Sequence, residues 1–170
     1  MLEIIRKRRS VRTFLDKDVE QERLVEILEA AMAAPTARNL RPCEFIVVRG
    51  RETRASLSRA TNFSAFAKNA PVVIVICYDT NKGRRFKEDC SLAAANIYLE
   101  TVNQGLGTCF VQIADTEGKE GEPEEFVRKA LSVPAHVRIQ CLMPLGYPDG
   151  MPEPHRDEEY DEKKVHFEEF

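Results

Sequence analysis

The chain has no long hydrophobic run. Its longest, Ala70 to Cys77, is far shorter than the roughly 20 residues that cross a bilayer, and it reads as a buried strand. It has no leader-like opening either. Met1-Leu2-Glu3-Ile4-Ile5 runs straight into arginines, so a soluble cytoplasmic protein with no membrane role is expected. There is no basic surplus: 25 Lys and Arg stand against 28 Asp and Glu, a net charge of −3, which argues against nucleic acid as a partner. Paired cysteines are missing too. Cys43, Cys77, Cys90, Cys109 and Cys141 are odd in number and form no C-x-x-C, so neither a disulfide framework nor a metal site is expected. Packing roles are expected for all five, since Cys77, Cys109 and Cys141 sit in apolar, strand-like runs.

Catalytic side-chain signatures are equally scarce. His136, His155 and His166 are scattered and show no H-x-x-x-H spacing, and no G-x-S-x-G elbow exists. Gly105-Leu106-Gly107-Thr108 lacks the dinucleotide-binding spacing and follows a helix instead of opening one. No side chain is marked as a nucleophile or general base. If the protein is an enzyme, a cofactor carries the chemistry.

What is present fits one domain, spanning 1–170. A length of 170 residues with 43% hydrophobic content is enough for a substantial core. Leu2–Lys7 reads as a short helix. Asp18 with Gln21 reads as a partial capping box before a helix carrying Leu24, Val25, Leu28, Ala31 and Met32 at helical spacing, stopped by Pro35. Strands are expected at Glu44–Val48, Val72–Tyr78, Thr108–Ile113 and Val137–Met143, the last ended by Pro144. Helices are expected at Arg51–Ala60, Phe86–Gln104 and Phe126–Leu131, with a charged surface loop at Glu117–Glu124. Few strands among several helices indicate α+β or a three-layer sandwich around one small mixed sheet. The acidic tail, about 151–170, cannot build a core of its own. Its Val165, Phe167 and Phe170 call for a surface elsewhere in the protein or on a second subunit.

Two short stretches carry the chemistry. Arg8-Arg9-Ser10-Val11-Arg12 puts three guanidinium groups and a hydroxyl within five residues, a donor set matched to a phosphate and a second electron-rich group. The same basic residues would also complement the dipole of the preceding helix. Ala34-Pro35-Thr36-Ala37-Arg38-Asn39 is a small-residue turn able to line a flat ligand, although turn asparagines commonly satisfy only local backbone. Phe63, Phe66 and Phe86 are candidates for an apolar wall or for ordinary core.

The order of these motifs is more specific than any one of them. Arg8-Arg9-Ser10-Val11-Arg12, the segment ending at Pro42, Ala70-Pro71-Val72-Val73-Ile74, Gly105-Leu106-Gly107-Thr108-Cys109 and Pro144-Leu145-Gly146-Tyr147-Pro148 follow one another as in the FMN-dependent nitroreductase family, which the whole chain resembles. That resemblance implies a three-layer α/β/α sandwich with a small, mostly antiparallel sheet, and a homodimer with a C-terminal arm crossing onto the partner. It implies FMN sites built from both subunits. Arg8, Arg9, Ser10 and Arg12 would hold the phosphate, ribityl chain and pyrimidine edge. Pro35, Thr36, Ala37 and Asn39 would come from the other subunit, with Gln112 and Ile113 near flavin N5, Asn62 at the pyrimidine edge and Arg156 completing the phosphate site. The implied activity is a ping-pong cycle taking hydride from NAD(P)H and passing electrons to nitroaromatic, quinone or similar small-molecule acceptors. Relatives that dehalogenate or that fragment the flavin, and a non-catalytic FMN-binding or redox-sensing dimer, are the alternatives. The chain departs from the family pattern where Gln112-Ile113 replaces a glycine or acidic-glycine pair, and where His155 and acidic residues flank Arg156.

Overall fold

A computed structural model describes residues 1–118, 121–156 and 160–170. Residues 119–120 of the charged loop and 157–159 of the acidic tail lie outside the described residues. In chain order the elements are α1 (Glu3–Lys7), α2 (Gln21–Met32), β1 (Cys43–Val48), α3 (Arg51–Leu57), β2 (Val72–Asp79), α4 (Phe86–Asn103), β3 (Gly107–Thr108), β4 (Val111–Gln112), α5 (Pro123–Leu131) and β5 (Val137–Gly146). Short 3₁₀ turns lie at Ala37–Asn39, Ala65–Asn69 and Glu162–Lys164.

The sheet is antiparallel, ordered β1-β2-β5-β3, with β4 also pairing β5. Strand β2 is buried on both faces, and its side chains alternate between two cores. Val72, Ile74, Ile76 and Tyr78 face a core shared with α2 and α4, which includes Leu24, Ile27, Ala93 and Ile97. Val73, Val75 and Cys77 face the other core, with Leu57 of α3 and Val127 of α5. This is the α/β/α sandwich expected from the sequence.

The register of β2 with β5 slips between Ile76 and Cys77, whose partners are Cys141 and Ile139, so Gln140 is a bulge residue. Its carbonyl accepts both the Ile113 N–H (3.1 Å) and the Ala114 N–H (3.2 Å), which ends β4. The expected single strand Thr108–Ile113 is therefore two short ones, broken at Cys109–Phe110. Pro144 does not end β5; the strand runs on to Gly146, and the Pro144 carbonyl accepts the Thr108 hydroxyl at 2.8 Å. Asp18 does not cap α2, because the helix starts at Gln21 with Glu20 in the cap position. Ile27 is fully buried on its inner face, while Val25 and Met32 are exposed.

The N-terminal segment after α1 is threaded against the sheet edge. Ser10 bridges Thr108 in parallel, and the Val11 N–H donates to the Thr108 carbonyl at 2.9 Å. Farther on, Phe14 bridges Pro148, and the Leu15 N–H donates to the Tyr147 carbonyl at 2.9 Å. The close approach requires glycine at 107: a β-carbon there would sit 2.6 Å from Cγ2 of Val11, which is buried.

Candidate functional site

Three guanidinium groups enter the site from different directions. Arg8 closes α1, and its guanidinium meets Nε2 of His155 at 2.9 Å while lying 5.2 Å from the Tyr98 ring centroid. Arg9 donates to the backbone carbonyl of Glu153. The tail is fixed here from its own side, because the His155 N–H donates to the Arg6 carbonyl at 2.9 Å. Arg156 is thereby brought next to the cluster by chain connectivity, with its side chain exposed.

Tyr98 of α4 is the buttress. Its hydroxyl accepts the Phe110 N–H at 2.7 Å and lies 3.3 Å from the Ser10 hydroxyl. Burial raises its phenol pKa above the ordinary tyrosine value, against the opposing hydrogen bonds to Ser10 and Phe110. The hydroxyl therefore stays protonated and neutral, and it links the arginine segment to the break between β3 and β4.

Arg12 is exposed. It lines a cavity of about 420 Å³ with Phe63, Phe66, Cys109, Phe110 and Gln112. Gln112 points outward on β4 and anchors its amide on the Ala114 carbonyl at 2.7 Å. Ile113 is buried in the core under α3 and α5, with its N–H on Gln140, so of the adjacent pair only Gln112 faces the cavity. Asn62 is exposed in the turn beside Phe63. That turn is fixed by Ser64, whose hydroxyl donates to the Ser58 and Thr61 carbonyls and accepts the Thr61 N–H. Phe86 stacks on Tyr78 instead, with ring centroids 4.7 Å apart, and belongs to the core.

The Pro35–Asn39 turn is a separate construction. Arg38, Asn39 and Arg41 all adopt left-handed φ values of 48–55°, a conformation that costs non-glycine residues roughly 1–2 kcal/mol each. Local bonds hold them there. The Thr36 hydroxyl accepts the Arg41 N–H at 3.0 Å, Asn39 Oδ1 accepts Arg41 Nε at 3.1 Å, and the Asp89 carboxylate accepts the Ala37 N–H at 2.9 Å. Pro35 and Asn39 are exposed at its rim. Residues of this turn line other cavities than the one Arg12 lines. The candidate residues of one chain thus form two groups, Arg8–Arg12 with Gln112 and the strained Pro35–Asn39 turn.

Tyr98, His155, Phe110 and Asp89 were not expected from the sequence. Tyr98 and Asp89 lie on a helix that reads as core, and only the fold shows what they hold.

The sequence profile described as the nitroreductase family matches residues 5–62 and 58–147. The chain belongs to the nitroreductase family. It is 38% identical to an FMN-dependent nitroreductase of Clostridium difficile, superposing with a TM-score of 0.96 over 100% of both chains. A Methanothermobacter thermautotrophicus protein with the provisional name NADH dehydrogenase/NAD(P)H nitroreductase is 35% identical over 100% of this chain and 87% of its own. A nitroreductase structure from Desulfovibrio desulfuricans, in complex with FMN, is 25% identical with a TM-score of 0.74 over 87% of this chain and 86% of that one. Among the described residues, no nitroreductase helix here is long and apolar enough to cross a membrane.

The residues present fit FMN. The Arg8–Arg9–Ser10 donor set suits a phosphate dianion, and the cavity beside it combines a guanidinium with the flat apolar faces of Phe66 and Phe110.

Proposed function

We propose that this nitroreductase is a homodimeric NAD(P)H-dependent FMN oxidoreductase whose two flavin sites lie between subunits. The observation that carries the reading is the convergence on Arg8, where α1, the Tyr98 helix and the returning Glu153–His155 segment meet beside a flat-walled cavity.

Arg8 and Arg9, with Arg156 alongside, form the cationic seat for the phosphate, and Ser10 adds a hydroxyl toward the ribityl chain. Arg12 places fixed positive charge at the pyrimidine edge, which favours added negative charge there and so raises the tendency to accept electrons. Asn62 offers an amide at the same edge. Gln112 sits at the reacting face, with Ile113 holding β4 in the core beneath it. The partner's copy of Pro35, Thr36, Ala37 and Asn39 closes the site. Its strained backbone is built before binding, so little ordering is left to do when the ligand arrives. FMN, when bound, supplies two-electron chemistry, with hydride entering from NAD(P)H and electrons leaving to a nitroaromatic, quinone or similar acceptor.

The dimer accounts for two otherwise unexplained features. Val25, Met32, Leu40 and Leu92 are exposed on and around α2 and α4. The tail ends in Tyr160, Val165, Phe167 and Phe170, all solvent-facing in one protomer, as an arm made for a partner's surface would be.

The test is a titration of the apoprotein with FMN, followed by quenching of flavin fluorescence. One FMN per chain is expected, and Arg8→Ala should raise Kd at least about tenfold by leaving phosphate charge uncompensated. Equal affinity in the variant would remove the arginine segment from the site.

A further inference from the structure

Two thiols that the flavin chemistry does not use lie in contact. Cys43 begins β1 and Cys90 lies in α4, 47 positions away, yet their sulfur atoms are 3.6 Å apart. Cys43 is half-buried and lines a cavity of about 330 Å³ with Thr36, Phe45 and Ala93. Cys90 is fully buried beneath it. Both are free thiols.

We infer that Cys43 and Cys90 are an oxidisable pair, in which Cys43 reacts with hydrogen peroxide and Cys90 closes the disulfide. In the first step the Cys43 sulfur attacks one peroxide oxygen. The O–O bond breaks, one water leaves, and Cys43 becomes a sulfenic acid. In the second, the Cys90 sulfur attacks that sulfur, the S–O bond breaks, and the second water carries away the Cys90 proton. Two thiols and one peroxide thus yield one disulfide and two waters, with two electrons passing from sulfur to oxygen.

The environments divide these roles. The hydrogen bond shared with Cys90 holds the Cys43 thiol below its ordinary pKa, against burial and the nearby Asp89 and Glu44 charges. The same bond, together with burial, pushes the Cys90 thiol well above its ordinary value. Cys43 is therefore the more exposed and more nucleophilic thiol, and Cys90 resolves it by proximity, attacking only as its proton passes to the departing oxygen. A bridge needs the sulfurs to close from 3.6 Å to about 2.05 Å, a movement of about 1.5 Å. Cys77 differs: burial raises its pKa to about 12.

The experiment uses the FMN-loaded protein. It is treated with excess hydrogen peroxide, quenched, denatured and alkylated, and the mass is read with and without reductant. The expected result is a protein about 2 Da lighter before alkylation, with three of the five thiols remaining to be alkylated and all five restored by dithiothreitol. Peptide mapping should join Cys43 to Cys90. Cys90 and Cys109 share one tryptic peptide, so fragmentation must separate them. Cys43→Ser should lose no thiol under the same treatment, whereas Cys90→Ser should carry Cys43 on to its oxygenated acids. Five free thiols after treatment, a bridge to any other cysteine, or oxygen adducts on Cys43 with Cys90 still alkylatable would each overturn the assignment.

Discussion

Arg8 and His155 stand 147 positions apart and meet at 2.9 Å, joining the first helix to the start of the C-terminal tail. The contact is braced by the His155 N–H on the Arg6 carbonyl and by Arg9 on the Glu153 carbonyl. The start of the tail thus holds the arginine cluster in place. His155→Ala should weaken FMN binding severalfold, the effect of a hydrogen bond worth about 0.5–1.5 kcal/mol, while the fold persists. Flavin fluorescence titration of the variant checks this, and an unchanged Kd would show that the contact is structurally idle.

Tyr98 offers a sharper dissection, because one hydroxyl serves both Ser10 and the Phe110 N–H. Tyr98→Phe keeps the ring under Arg8 and removes only the oxygen. The Phe110 N–H then loses its acceptor in a partly buried place, so stability should fall by about 1–3 kcal/mol. Urea denaturation measures the loss, and FMN affinity should fall in parallel as the arginine segment loosens.

Glu124 makes a pH prediction outside the candidate site, since it lines a different cavity. Its buried carboxylate accepts Arg138 at 2.5 and 2.7 Å, Arg128 at 3.0 Å and the Ile139 N–H at 3.2 Å. Burial disfavours the charge, but Arg138, the Ile139 N–H and Arg128 together outweigh it and hold the pKa below 4.5. Because the folded value is depressed, the stabilisation is complete above about pH 4.5 and disappears as pH falls through the folded value. Glu124→Gln should destabilise by about 2 kcal/mol at neutral pH and lose most of that difference in acid. Thermal melts of both proteins across this range test the sign; a deficit that grows on acidification would refute it.

Removal of the tail from Tyr160 onward should weaken subunit association, because the exposed aromatic residues of that segment have no surface of their own to cover. Sedimentation velocity over a dilution series should show dissociation at concentrations where the full chain stays paired. Identical profiles would rule out a crossing arm.

Much of this was legible in the sequence, for reasons that individual residues make plain. Arg8, Arg9, Ser10 and Arg12 are contiguous, so their shared chemistry shows without a fold. Strand β2 shows as an unbroken apolar run because it is buried on both faces. Tyr98 was illegible because its meaning lies in Ser10, 88 positions away, and in a broken strand that the sequence presents as continuous. Pro144 misled for a physical reason: proline ordinarily stops a central strand because it has no N–H to give, but here it lies opposite the break between β3 and β4, where no ladder bond is required of it, and the strand continues. Cys43 and Cys90 share no sequence pattern at all, and only the packing of α4 on β1 brings their sulfurs together.

The most direct test of the central claim is anaerobic mixing of the FMN-loaded protein with NADH or NADPH, followed at the visible absorbance of the flavin. The account predicts that this absorbance bleaches and returns when a quinone or nitroaromatic compound is added. A flavin that stays bound and fully yellow with both nicotinamides would contradict it.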